Sequence, residues 1–453
     1  MLPAPLGRAM SSEDRTDVVI IGAGVAGLAA ARRLREHDVR CVVLEARTRL
    51  GGRICTVRDP RSPVPIELGA EFVHGEAPEL TDIAREAALT AVDVVGERWS
   101  AAHGRFTALP DFWERVDRVL SRAKASRDPD RPLSSLFDER PGGHRFARDR
   151  TLAREFVEGF HAAELNRLSE RAVAEGGNPG GDPAEQRMAR FVDGYGAVVE
   201  WLAAPLRSAI RCGRVVERVE WDKGRVRVRA ATAGAGETYD ARAVIVTVPV
   251  SLLHDDATGP GAITFAPEIA AVRAAASSVA MGQVRRIALL LDRPLIELLD
   301  GRRRAQLAHL TFMHARGVDV PVWWTSFPLR TSTLIGWAGG PAAIALERHP
   351  EELEARAIAS LASATDLEPR RLARHVVASF SHDWGHDPFA RGAYSYALVG
   401  GADAARRLAK PVQHTIFVAG EATDEAGRTA TVHGAIASGY RAAAQVARAL
   451  TRD

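Results

Sequence analysis

The stretch Asp17–Arg53, DVVIIGAGVAGLAAARRLREHDVRCVVLEARTRLGGR, constrains this chain more than any other. An apolar run, Val18–Ile21, enters a turn carrying Gly22, Gly24 and Gly27. An alanine-rich helical segment follows, then a second apolar run, Val42–Leu44, ending on Glu45. Glycines at this spacing are informative only between a strand and a helix, and here they have that context. Gly22 permits the tight turn, Gly24 lets a pyrophosphate approach the backbone, and Gly27 lets helix and strand pack closely. Phosphates then sit on the free N–H groups at the helix start. Glu45 stands where an acid bonds both hydroxyls of an adenosine ribose. The unit reads as a dinucleotide cradle of Rossmann type, with NAD and FAD both open on this stretch alone.

The 453 residues leave room for two or three domains. Sixty basic and 57 acidic residues leave a net charge of +3, too balanced to suggest a nucleic-acid partner. Basic positions are overwhelmingly arginine; the lysines are Lys124, Lys223 and Lys410. Cys41, Cys55 and Cys212 lack CxxC spacing, which argues against a disulfide framework or a zinc site. They are expected to be small buried residues of a reducing compartment. The N-terminal residues lack the apolar core of a secretory signal. No run approaches the roughly 20 apolar residues of a membrane span, and no anchor is expected after the last helix. The expected location is the cytoplasm, with no membrane partner, and either Met1 or Met10 could be the start.

Past the cradle, Ile66–Gly75 reads as a short strand entering a turn. From Pro78 to about Leu206 the apolar spacing is helical, broken by polar loops around 127–145 and 175–185. Strands are expected at Val215–Val219, Val226–Ala230, Ala243–Val248, Val284–Leu291, Leu307–His314, Val322–Ser326 and Thr333–Ala338. Pro350–Ala364 reads as helix, Ile416–Ala419 as a buried strand, and His433–Leu450 as the last helix. The fold class expected is α/β, a discontinuous Rossmann-like cofactor-binding domain with an inserted α+β substrate domain. The first would comprise residues 15–77, 208–280 and 385–453. The second would comprise 78–207 and 281–384, a helical part plus a mixed sheet.

Beyond Glu45 the chain resembles the flavin-containing amine oxidase family, of the bacterial monoamine and polyamine oxidase type. LEARTRLGGR is similar to the family's LEAR-x-R-x-GGR signature. The resemblance implies that Gly51 and Gly52 turn beside the pyrophosphate of FAD, with Ala46, Arg47 and Arg53 around it; Arg49 reads as part of a solvated turn. ELGAEFVHG, Glu67–Gly75, is similar to ELGA-x-W-I-H-G. It implies that Gly69, Ala70, Glu71 and Phe72 pass beside the flavin and that His74 lies near the substrate amine, tuning its protonation. A turn histidine that bonds only backbone is the other reading. Val216 joins the cofactor set. VAGEATDEAGRTATVHGAIASGYRAA, Val418–Ala443, resembles the family's closing motif. There Gly420 and Glu421 would meet the ribityl chain, and Thr431 and Val432 the flavin pyrimidine. Arg428 and Ala430 depart from the aromatic and glycine common at those places. His433 is expected to be a helix-start residue near the cofactor, with no ligand set at metal spacing around it.

HDWGHDPFARGAYSY, His382–Tyr396, supplies Trp384 and Tyr394, which match residues lining flavin and substrate. Ala393 falls where some relatives carry a flavin-bonded cysteine, so non-covalent FAD is expected. Thr431 falls where some carry a second cage tyrosine. Of Trp323, Trp324, Phe327 and Trp337, strand alternation assigns about half to a cavity wall and the rest to core.

A further position breaks the pattern. In MGQVRRI, Met281–Ile287, Arg286 stands where the family has a lysine that holds a water against the flavin. Arginine stays protonated and cannot act as a base. Drift toward arginine explains this, as does altered chemistry: slow reoxidation, or a substrate carboxylate paired with Arg286. A register shift would put Arg285 there instead. The resemblance implies oxidation of a small-molecule amine by hydride transfer to FAD, giving imine, then aldehyde, and hydrogen peroxide from oxygen. Arg286, His74, Tyr394 and Trp384 form the expected catalytic group. A desaturase or dehydrogenase and an L-amino acid oxidase of the same superfamily are the alternatives, with a binding protein lacking turnover as a third. Oligomeric state is not legible in the sequence.

Overall fold

The computed structural model describes residues 16–176, 186–234 and 236–451. Its first layer is a five-stranded parallel sheet in the order Ile210–Cys212, Cys41–Glu45, Val18–Ile21, Ala243–Val246, Ile416–Val418. Val18–Ile21 is buried along its whole length, as a parallel strand covered on both faces must be. Strand order reverses between Val18–Ile21 and Ala243–Val246, and a ligand crevice opens at the carboxyl ends of strands at such a switch point.

Helix Val25–Glu36 covers one face, with helix Val432–Leu450 packed on it. Gly439 sets that approach: a Cβ there would stand 2.3 Å from Ala26 O. A sheet of Glu237–Ala241, Arg225–Ala231, Val215–Asp222 and Thr264–Ala266 covers the other face. Val19, Ile21, Val244 and Val246 share a core there with Val219 and Val228. Each such side chain contributes about 1.5–3 kcal/mol on full burial.

The second layer is a seven-stranded sheet: Val376–Ser381, Val284–Leu291, Thr333–Gly339, Val322–Thr325, Leu310–Ala315, Glu97–Ala102, Arg105–Ala108. Neighbours are antiparallel except Leu310–Ala315 and Glu97–Ala102, which run parallel. Helix Leu353–Thr365 shares a core with one face through Ala357, Leu361 and Trp323. Trp324 belongs to a different cluster, with Phe312, Ile335 and Leu68.

The continuous helical reading of 78–206 is corrected. Helices Pro78–Glu86, Phe112–Leu120, Ala147–Phe160 and Tyr195–Ala203 are present, but strands Ala91–Asp93, Glu97–Ala102, Arg105–Ala108 and Met188–Phe191 interrupt them. The hairpin Glu97–Ala108 turns on His103 and Gly104, both at positive φ, and is held by a strand far along the chain. Local periodicity carries no trace of such a partner. The polar stretch 127–145 contains a short helix, Ser134–Asp138. Most of the second expected loop, 177–185, lies outside the described residues. The three cysteines are free and half-buried, where full burial was expected.

Candidate active site

A cavity of about 1130 Å³ runs from the switch point to the seven-stranded sheet. Gly22, Gly24, Glu45, Ala46, Arg47 and Val216 line it where the parallel strands end. Gly51, Gly52, Arg53, Gly420, Glu421, Thr431 and Val432 continue the wall. Gly69, Ala70, Glu71, Phe72, His74, Arg286, Trp384 and Tyr394 complete it toward the sheet. Gly27 lies behind the wall, where a Cβ would meet Gly22 O at 2.0 Å.

The glycines at the strand ends fit a dinucleotide. Gly24 has an extended backbone that any residue adopts. A Cβ there would meet no protein atom within 4 Å, so the protein's own packing does not require glycine at this position. It leaves free the space a close phosphate needs. The helix starting at Val25 has no side-chain cap and no acid in its first turn, which leaves its donors to an anion. Glu45 is held in place by Ala23 N at 2.8 Å and Arg47 N at 2.9 Å.

The arginines around this wall already have partners. Arg47 pairs with Asp387 at 2.6 Å and Arg53 with Glu421 at 2.7 Å. Glu421 also accepts from Ser395 Oγ at 2.5 Å and from Ala430 N at 2.9 Å. Ala430 is left-handed, φ 64°, which costs about 1–2 kcal/mol at a non-glycine residue. Thr431 caps the last helix, its Oγ1 accepting from Gly434 N at 3.0 Å. Arg428, at the place of the family's aromatic, bonds Glu79 and Asp424, each at 2.9 Å.

Arg285 and Arg286 are successive residues of Val284–Leu291, opposite Ala338 and Trp337, and so point to opposite faces of the sheet. Arg285 pairs with Asp383 at 2.6 Å; Arg286 lines the cavity. Arg286 is 3% exposed. Its Nη2 donates to Glu71 Oε2 at 2.5 Å, its Nη1 to Gly69 O at 3.2 Å, and its guanidinium lies 5.3 Å from the Trp324 ring centre. Trp324 Nε1 donates to the same Glu71 oxygen at 3.0 Å, and Arg190 approaches the other at 3.5 Å. Burial pushes the Glu71 carboxyl up, but Arg286 and Arg190 outweigh it and hold Glu71 below its usual range. Arg286 and Arg190 thus share the one Glu71 carboxylate.

Burial pushes His74 down to about 4, with His433 and Arg98 adding to the effect. Its ring is neutral at physiological pH. Trp384 donates from Nε1 to Leu68 O at 2.8 Å. Tyr394 donates from Oη to Phe160 O at 2.6 Å and stacks on Trp337, ring centres 6.5 Å apart. Trp324 and Trp337 line the cavity, whereas Trp323 is fully buried in the opposite core. Phe327 is not on the cavity wall.

Sequence reading missed the cavity's far end. Arg98, Phe112, Trp113, Phe156, Phe160 and His314 line it. Phe156 and Phe160, four residues apart on one helix, stack with ring centres 5.0 Å apart. That spacing was the available signal, and it reads equally as core.

The profile of the flavin containing amine oxidoreductases matches residues 25–447. The chain belongs to that family. As an amine oxidoreductase it uses FAD and oxidises amines, on the α/β architecture described above. It is 28% identical to probable polyamine oxidase 4 of Arabidopsis thaliana, over 94% of this chain and 86% of the relative. It is 27% identical to lysine-specific histone demethylase 2 of Homo sapiens, over 95% of this chain and 53% of that one. Among solved structures, cyclohexylamine oxidase from Brevibacterium oxydans superposes on the amine oxidoreductase with a TM-score of 0.79 at 20% identity, covering 97% and 100% of the two chains. Putrescine oxidase bound to putrescine gives 0.77 at 21%, covering 95% and 99%. Among the described residues no helix is long and apolar enough to cross a membrane.

Proposed function

We propose that this amine oxidoreductase is an oxidase of a small-molecule amine, taken up neutral and oxidised beside non-covalently held FAD. One observation carries the reading: the dinucleotide cradle and an aromatic chamber are parts of a single cavity, joined at Arg286, Trp384 and Tyr394. Bound FAD supplies the two-electron acceptor: a hydride equivalent leaves the amine-bearing carbon, the imine hydrolyses to an aldehyde, and oxygen collects the electrons as hydrogen peroxide.

The chain's own residues bind, orient and exclude water. The Gly22–Gly24 turn and Glu45 hold the adenosine end, with Arg47, Gly51, Gly52 and Arg53 at the pyrophosphate. Glu421, Thr431 and Val432 serve the ribityl and flavin end, where a helix start favours negative charge. Trp384, Tyr394, Trp324 and Trp337 wall the reacting carbon from solvent. Neutral His74 accepts a hydrogen bond from the amine and does not repel it by charge. Arg286 directs its Nη2 and Nη1 donors to Glu71 and Gly69 O, so it acts neither as a base nor as a free carboxylate site. That favours a simple amine over an α-amino acid bound at Arg286.

Ala393 and the positions of the cysteines support non-covalent FAD, since no cysteine lines the cavity among the described residues. We assign residues 15–77, 208–280 and 385–453 to cofactor binding and 78–207 with 281–384 to the substrate. Three free thiols are in keeping with a reducing cytoplasm.

The test is anaerobic mixing of the purified yellow protein with a panel of amines, followed by air and a peroxide assay. Bleaching of the flavin band by an amine, then peroxide, is the expected result. Bleaching without rapid reoxidation would make it a dehydrogenase, and bleaching by no amine would overturn the proposal.

A further inference from the structure

Arg98, on strand Glu97–Ala102, reaches the cavity at the end away from Arg286. Its guanidinium lies 4.3 Å from the ring centre of Phe312, 4.9 Å from that of Phe112 and 5.1 Å from that of Trp113. Among the described residues no carboxylate oxygen comes within 4.0 Å of it, and its side chain makes no hydrogen bond to protein. It differs in this from Arg286, Arg190, Arg47 and Arg53, each of which has an acid at the same cavity. Cation–π contact eases the burial of such a charge without neutralising it. Arg98 is half-buried; an unpaired, partly desolvated charge on a ligand cavity is best explained by a ligand that pairs with it.

The chamber between the two arginines is apolar. Arg286 lies over Trp324; Trp324 and Phe312 are 6.0 Å apart; Phe312 lies under Arg98. Phe72 bridges the same pair, 5.6 Å from Trp324 and 5.9 Å from Phe312. Phe156 and Trp113 close the other side, ring centres 5.3 Å apart. Other charged or titratable groups at this end are His314, stacked 5.1 Å from Phe112, and Glu155, with Arg316 acting on both. Burial pushes His314 down to about 3, so it carries no charge near neutrality. Burial raises Glu155 and Arg316 partly offsets this. Among the described residues, Arg98 is the charged group at this end in contact with the aromatic wall of Phe112, Trp113 and Phe312.

We infer that the substrate is an amine carrying a carboxylate at the far end of an apolar spacer, the carboxylate pairing with Arg98 while the amine reaches the flavin wall. A planar guanidinium matches a carboxylate in two parallel hydrogen bonds. A diamine would place its second ammonium against Arg98 and be repelled. This rests on the amine-oxidation reading for which end reacts, though the anion site itself does not.

The experiment uses holoenzyme and length-matched sets: ω-amino carboxylates, diamines and uncharged alkylamines. Anaerobic flavin reduction gives kcat/KM for each, and the flavin spectrum reports binding of hexanoate, which has no amine. The wild type is expected to favour the ω-amino carboxylate over the matched diamine, and hexanoate to perturb the spectrum. Arg98→Met lowers the carboxylate-to-alkylamine ratio about ten- to hundredfold and raises the diamine-to-alkylamine ratio. It also abolishes the hexanoate response, and Arg98→Lys, which keeps the charge, retains the preference. A wild-type preference for diamines, or hexanoate binding unaffected by Arg98→Met, overturns the inference. If no amine reduces the flavin yet hexanoate binds through Arg98, the anion site stands and the amine-oxidation reading fails.

Discussion

Arg286 and Glu71 form a 2.5 Å ion pair within the cavity wall, where the family's lysine would stand. The pair accounts for how a permanent cation is tolerated there: Glu71 comes from the turn after Glu67, Trp324 fixes its orientation, and Arg286 also bonds Gly69 O.

Removing the acid alone leaves Arg286 buried and largely unpaired. Glu71→Gln is expected to cost about 3–5 kcal/mol of stability, measured by denaturant unfolding of the holoenzyme. Replacing both partners, Glu71→Met with Arg286→Met, costs less than the two single changes added. Strict additivity would show that the pair is not coupled.

Gly24 and Gly27 separate ligand space from packing space. Gly24→Ala is expected to fold with near wild-type stability, but to weaken FAD binding by about tenfold or more, ~1.4 kcal/mol. Gly27→Ala pushes a methyl into Gly22 O and costs about 1–3 kcal/mol of apoprotein stability. Thermal unfolding of apoprotein and FAD titration distinguish the two. Equal losses of apoprotein stability would contradict the assignment of Gly24 to ligand space.

Glu67 is buried, 6% exposed. It accepts from Thr56 Oγ1 at 2.8 Å and from Tyr195 N at 2.7 Å. Burial pushes its carboxyl up to about 7, against those bonds and the pull of Arg286. The native state then holds a proton the unfolded chain has released, so stability falls as pH rises from about 4.5 to 7. The swing from this group is about 3 kcal/mol. Glu67→Gln, which cannot ionise, is expected to flatten that part of the stability–pH curve. An unchanged slope would mean that Glu67 is ionised throughout.

His74, neutral above about 4, does not titrate near neutrality. The acid limb of kcat/KM is expected to follow the substrate amine, moving when the amine's own pKa is changed and staying put in His74→Asn. A limb near 6–7 that vanishes in His74→Asn would assign it to the histidine instead.

The chain's local order was enough for the cradle, because everything it needs is contiguous. Strand, glycine turn, helix and Glu45 fall within one βαβ unit, and Gly420-Glu421 with the last helix read out the same way. Trp323 and Trp324 show where local reading stops: alternation says that they part company, and only the packed helix Leu353–Thr365 decides that Trp323 is core and Trp324 is wall. The hairpin Glu97–Ala108 was hidden for a related reason. Its strands are short, it lies in sequence between helices Pro78–Glu86 and Phe112–Leu120, and its pairing partner, Leu310–Ala315, is distant in the chain.

The sequence by itself determined the cofactor cradle, the family and the substitution of arginine for lysine at 286. The tertiary structure decided what that substitution means and where the unpaired charge lies. Arg286 is paired with an acid from another element, while Arg98, unremarkable in sequence, stands over aromatic rings from two further elements without an acid beside it. Ion pairing and desolvation depend on distances between segments remote in the chain, and only folding sets those distances.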